Sequence, residues 1–148
     1  MGAQWTLGNL PGWARALLGE VRVAHLGLLD DTGRPRVMPV TFAVVGERIW
    51  SAVDDKPKRR PGDELARVRW LRARPESAIT VDLYDDDWSQ LAWVQLIGST
   101  VVVDARGHDE VVAALAARYP HYREHPPPGP LLRFTPERAV RWRAAENG

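Results

Sequence analysis

The stretch VRVAHLGLLDDTGRPRVMPVTFAVVGERIWSAV, Val21 to Val53, decides the fold. Its first run, Val21 to Leu29, has the look of a strand and ends at DDTGRP, where Asp31, Thr32 and Gly33 supply turn chemistry. Arg36 to Val45 is a second run, rich in β-branched and aromatic side chains. Pro39 has no backbone donor, which points to an edge position, a strand end or a bulge. Gly46 then turns the chain into a third run, Arg48 to Val53. Three strands joined by short turns predict an antiparallel meander. His25, inside the first strand, reads as a packed or hydrogen-bonded histidine rather than a ligand.

Beyond Val53 the chain reads DDKPKRR. Lys56 and Lys58 are the only lysines, and with Arg59 and Arg60 they put four cations within five positions. A strand that delivers cations to a loop suits a phosphate at one end of a planar cofactor; a solvated charged loop is the plain alternative. Pro61 and Gly62 break the chain, and Asp63 caps a predicted helix running to about Arg74. Leu65, Val68 and Leu71 form its apolar stripe, with Arg67, Arg69, Arg72 and Arg74 on its wet faces. Ala78 to Tyr84 is a fourth strand, with Ile79, Val81 and Leu83 on one face and Thr80, Asp82 and Tyr84 on the other. Asp85, Asp86 and Asp87 read as a solvated acidic turn. A metal site would need a companion ligand at matching spacing, and an EF-hand would need its glycine and closing glutamate.

Leu91 to Val103 is the longest apolar run, interrupted by Gly98 as a bulge or bend would interrupt a long barrel strand. Asp109 to Arg118 predicts a helix with Val111, Val112 and Leu115 inward. Pro120 to Pro130 shows neither helical nor strand period, and Leu131 to Phe134 and Ala139 to Trp142 read as closing strand pieces around a turn at Pro136. Towards the N-terminus, Pro11 to Glu20 predicts a short packing helix, with Trp13, Ala14, Leu17 and Leu18 at helical spacing. The expectation is a mainly β fold, a small β-barrel with flanking helices, in a single domain over 1–148. It divides into an N-terminal helical segment 1–20, core strands and basic loop 21–104, a helix 108–119 and a closing strand 131–143.

Composition bounds the chemistry. The 148 residues carry a formal net charge of +1, which gives no field for nucleic acid or an acidic membrane surface. The absence of cysteine removes disulfides, thiolate metal sites and cysteine nucleophiles together. No apolar run approaches the roughly 18 residues that span a bilayer, and MGAQWTLGNLPGW has no basic leader, so a cytoplasmic protein is expected. Nucleophile elbow, P-loop and zinc-protease motifs are absent. Seven tryptophans offer flat surfaces for a core or a planar ligand.

The segment from Val21 to Val53, the KPK that follows, and LRARPESAITVDLY together resemble the split β-barrel of the pyridoxamine-phosphate-oxidase-like proteins that bind FMN. More narrowly, DDDWSQLAWVQLIGSTVVV and FTPERAVRWRA are similar to the F420-dependent oxidoreductase branch found in actinobacteria, and the resemblance runs from about Val21 to Trp142. It implies that the ring system of the cofactor lies against the second and third strands near a dimer interface, at Pro39, Val40 and Thr41 with Ser51, Ala52 and Val53. Backbone amides there, with the Thr41 or Ser51 hydroxyl, would meet the pyrimidine end of a flavin or deazaflavin. Lys56 and Lys58 would take the phosphate, Arg59 and Arg60 the polyglutamate tail of F420, and Trp88 would supply an aromatic wall; Trp93 suits that wall or the barrel core. The implied function is hydride transfer from reduced F420 to a small conjugated acceptor by a homodimer, with FMN as the alternative cofactor. A protein that holds F420, flavin or a tetrapyrrole without turnover is a further alternative.

Overall fold

A computed structural model describes residues 7–53 and 65–144. After a 3-10 turn at Leu7–Asn9 come α1 (Gly12–Glu20), β1 (Ala24–Leu29), β2 (Pro35–Val40), β3 (Ala43–Val45) and β4 (Arg48–Ala52). Then follow α2 (Ala66–Ala73), β5 (Glu76–Leu83), a 3-10 turn at Trp88–Gln90, β6 (Ala92–Val103), α3 (Asp109–Arg118), α4 (Pro120–Glu124) and β7 (Leu131–Arg143). The strands make one antiparallel sheet in the order β2-β1-β5-β6-β7-β4-β3.

That order corrects the expected meander. The second predicted strand is two strands, and its halves lie at opposite edges of the sheet, joined only by Thr41 and Phe42. Laid flat, seven strands at about 4.8 Å spacing would put those edges roughly 29 Å apart. The three steps from Val40 to Ala43 reach at most about 11 Å. The sheet must therefore curl until its edges meet, and the crossover at Thr41–Phe42 is the seam. The inward pattern breaks at the same place: Val40, Phe42 and Ala43 are all buried, with Val40 and Phe42 in one apolar cluster and Ala43 in another.

The larger cluster fills the curl. Phe42, Ile49, Leu96, Val94, Val81, Leu132 and Phe134 meet there, and α1 closes it with Ala14, Leu17 and Leu18. The smaller cluster lies on the outside of β3, β4 and β7, where Trp50, Ala52 and Leu131 pack against Val111 and Leu115 of α3 and against Tyr119 and Tyr122. β4 is consequently buried on both faces, Ile49 inward and Trp50 outward.

Two arginines tie α1 to α3. The Arg118 guanidinium donates to Gly19 O at 3.0 Å and to Val21 O, while Arg22 donates to Arg118 O. Each cation meets the carbonyl end of the other helix, where the backbone dipole favours positive charge.

The ladder is irregular at Gly98 as expected, but the extra residue belongs to the partner strand: Ile97 pairs with Arg138 and Gly98 with Pro136, which leaves Glu137 of β7 without a partner. Pro136 does not turn the chain, and β7 runs unbroken from Leu131 to Arg143 with the proline beside that bulge. The expected structureless connection contains α4, which starts with Pro120 in its first turn, where a missing N–H costs nothing. α2 begins at Ala66 with Leu65 as its N-cap; the cap expected at Asp63 lies outside the described residues.

Candidate cofactor cleft

Thr41 and Ser51 face each other across the seam. β3 stops pairing at Ala43–Trp50, so Ser51 and Ala52 run past its end towards the crossover. The Ser51 hydroxyl donates to Thr41 O at 2.6 Å, joining the two edges. Around this junction lies a cleft of about 170 Å³ lined by Val23, Pro39, Val40, Thr41, Ser51, Ala52 and Arg67. Five of the predicted site residues thus share one cavity: Pro39, Val40, Thr41, Ser51 and Ala52. The volume is below the ~300 Å³ at the low end of ligand pockets, so this wall alone does not enclose a tricyclic ring.

The crossover is held from behind by two tyrosines at the junction of α3 and α4. The Thr41 hydroxyl pairs with the Tyr122 hydroxyl at 2.9 Å. The Tyr119 hydroxyl accepts the Phe42 N–H at 3.0 Å and lies within donating distance of Arg22 O and Phe42 O, at 2.9 and 3.1 Å. The two rings meet edge to face at 5.8 Å. The backbone that floors the cleft is therefore fixed by side chains nearly eighty residues away in sequence.

Arg67, expected on a wet face of its helix, is half-buried: it lines the cleft, which sequence reasoning does not show, and lies 3.6 Å from Met38 Sδ. A signal was available: Arg67 occupies the first turn of α2, where the helix dipole favours anions over cations.

The remaining predicted residues either do not line the cleft or lie outside the described residues. Val53 is 1% exposed and spends its N–H on Pro130 O at 3.1 Å, so neither its side chain nor its amide faces the cleft. Lys56, Lys58, Arg59 and Arg60 lie outside the described residues. Trp88 is 69% exposed on the 3-10 turn between β5 and β6 and does not line this cleft. Trp93 sits half-buried opposite Trp142, on the face of β6 that points away from the core. His25 is exposed rather than packed, on the outer face directly across from Pro39. The acidic turn is exposed, and Asp87 caps the 3-10 turn by accepting from Ser89 N at 3.1 Å.

No family model matches the chain, and no curated protein matches it by sequence. Solved structures do share its shape. A FAD-binding protein from Mesorhizobium loti superposes with a TM-score of 0.65 at 20% identity, over 89% of this chain and 94% of its own. A Clostridium acetobutylicum protein related to general stress protein 26, of the pyridoxinephosphate oxidase family, gives 0.63 at 15% identity over 90% and 87%. The heme storage protein of Vibrio cholerae gives 0.68 at 17% identity over 87% and 90%. The fold is a split β-barrel. At these identities the likeness is one of fold, and split barrels with this outline include one named for FAD and one named for heme. No helix among the described residues is long and apolar enough to cross a membrane.

Proposed function

We propose that the cleft at the seam holds the ring of a flavin-type cofactor and that the protein is an oxidoreductase, transferring hydride from reduced F420 to a small conjugated acceptor. The observation that carries this reading is the convergence of Pro39, Val40, Thr41, Ser51 and Ala52 on one cavity with Arg67 among its walls. Such a group supplies the hydride chemistry itself; the protein has to bind, orient and exclude water. Here Val23, Val40 and Ala52 give the cleft apolar surface, Thr41 gives it a hydroxyl, and the Ser51 oxygen keeps its lone pairs after donating to Thr41 O. Arg67 offers a planar cation suited to a phosphate.

The heme alternative is weaker on chemistry. Heme iron takes His, Cys, Met or Tyr as its axial ligand. None of the side chains lining this cleft is of those types, and the chain has no cysteine. The choice of F420 over FMN rests on sequence: the resemblance of the β5–β6 region and of the C-terminal strand, and the four cations from Lys56 to Arg60 beyond the third predicted strand. FMN ends at its phosphate, whereas F420 continues into an anionic tail that such a track would suit.

The deciding experiment titrates the purified protein with F420 and with FMN, followed by tryptophan fluorescence. Tight quenching by F420 is expected. Arg67→Gln should weaken both ligands about tenfold, because both carry a phosphate. Arg59→Gln with Arg60→Gln should weaken F420 alone; equal losses for both ligands would remove the tail role, and quenching by FMN alone would reassign the cofactor. If neither ligand binds, the cofactor reading fails.

A further inference from the structure

We propose that the cavity between α1, α3 and the edge strand β3 is a second ligand site, which takes a free α-amino acid with an apolar side chain. The proposal is independent of the cofactor reading and goes beyond it.

The cavity measures about 470 Å³, larger than the cleft at the seam and inside the ~300–1,000 Å³ range of ligand pockets. Short side chains leave it open. The helical spacing i, i+3, i+4 presents Arg15, Leu18 and Gly19 of α1 on one side and Ala114, Ala117 and Arg118 of α3 on the other. A Cβ built on Gly19 would meet nothing within 4 Å, so the gap reaches down to the backbone of α1. β3 is the last strand of the sheet and lends the cavity Ala43 and Val44. Val44 is still 40% exposed, so this wall has apolar surface left to bury.

Two opposite charges stand in the same cavity without meeting. The turn at Gly46 carries the chain from β3 to Glu47, whose carboxylate accepts the Gly8 N–H at 3.4 Å. A carboxylate has about four lone-pair sites, so one such bond leaves most of them open. Arg15 makes no ion pair and no side-chain hydrogen bond among the described residues, with Glu47 or with any other. The remaining cation, Arg118, is already engaged: it donates to Gly19 O and Val21 O and lies over the rings of Phe42 and Tyr119.

A ligand that carries both signs side by side, with an apolar group beyond them, completes this set. Its carboxylate meets the Arg15 guanidinium, its ammonium meets Glu47, and its side chain lies against Val44 and the alanines of α3. A free α-amino acid has the two charges on one carbon. A fatty acid would bring a second carboxylate beside Glu47, a simple amine would bring a second cation beside Arg15, and the end of a peptide carries only one of the two charges.

The test is calorimetric titration of the purified protein, without cofactor, with L-leucine and three analogues: leucinamide lacks the carboxylate, 4-methylpentanoate the ammonium and glycine the side chain. Saturable binding of leucine is expected, with leucinamide and 4-methylpentanoate about three- to fivefold weaker, as partly exposed ion pairs allow. Glycine should be weaker by more than about tenfold, because it buries no side chain. Arg15→Gln should bring leucine down to the level of leucinamide, and Glu47→Gln should bring it down to that of 4-methylpentanoate; both side chains are exposed, so neither change threatens the fold. Ala117→Phe fills the gap and should abolish binding. Absence of saturable leucine binding overturns the proposal, as does a leucine affinity unchanged in Arg15→Gln or in Glu47→Gln. Equal affinity for leucine and 4-methylpentanoate marks a plain carboxylate site and overturns it too. If Ala117→Phe does not fold, the two charge variants carry the test. Leucine binding by a protein that takes up neither F420 nor FMN leaves this site standing while the cofactor reading falls.

Discussion

Asp30 closes the turn between β1 and β2 with almost every acceptor it has. Its Oδ1 receives the Thr32 hydroxyl at 2.7 Å, the Thr32 N–H at 2.9 Å and the Arg34 N–H at 3.0 Å. Arg36 lies 3.6 Å from its other oxygen. These donors, the Thr32 hydroxyl foremost, hold the carboxyl at about 2 instead of 3.8. A depressed carboxylate stabilises the fold fully above its unfolded value and loses that contribution as the pH falls through the folded one. Stability measured by denaturant unfolding should therefore decline between about pH 4 and pH 2, and Asp30→Asn should remove that part of the decline. Parallel curves for the two proteins across this window would show that Asp30 has no such share. The aspartate, threonine and glycine of this turn were legible in sequence because turn chemistry is local. Arg67 was not: a cation on a helix looks solvated unless one knows what the helix end faces.

At the scale of elements, the pairing of β6 with β7 turns on Gly98. A Cβ built there would fall 2.0 Å from Thr135 O and 3.1 Å from Pro136 Cα, both backbone atoms that cannot swing away. Gly98→Ala must force the two longest strands apart, and a loss on the order of 3 kcal/mol is expected from overpacking of this kind. Urea unfolding would measure it; a loss under about 1 kcal/mol would mean that the bulge gives way easily. The glycine and an irregularity at it were readable in an otherwise unbroken apolar run, although the extra residue, Glu137, lies on β7; α1, α3 and β5 were readable too, because their periods are local properties. The split of the second strand was not readable. VMPVTFAVV has strand character from end to end, and only the closure of the sheet decides that Thr41 and Phe42 leave it. α4 escaped for the opposite reason: five residues are too few to show a period, and its stability comes from Tyr122 packing on the α3 layer.

At the scale of the whole molecule, no helix among the described residues is recorded packing on the outer rows of one broad part of the sheet. Across β2, β1, β5 and β6 the register aligns Val37, Gly27, Ala78 and Ile97 in one row and Pro39, His25, Thr80 and Gln95 in the next. Val37 is 71% exposed at the edge of this face, and Pro39 belongs both to the face and to the cleft. We propose that a second copy of the chain seats on these rows, where it would border the cleft that one protomer leaves open. A stable pair needs to bury about 1,200–2,000 Å² in total. Sedimentation at micromolar concentration should give a dimer, with Val37→Lys shifting it towards monomer; a wild-type monomer would rule out a shared site.

The crossover at Thr41 and Phe42 gives that cleft a second character. In the proposed cofactor cleft, the place where the sheet closes and the place where a ligand would sit are the same. A molecule resting against Thr41 and Ser51 touches both margins of the sheet at once and behaves as a clamp across its last open joint. The curl, and with it the strands on the far side, would be tightened by anything that fills the gap.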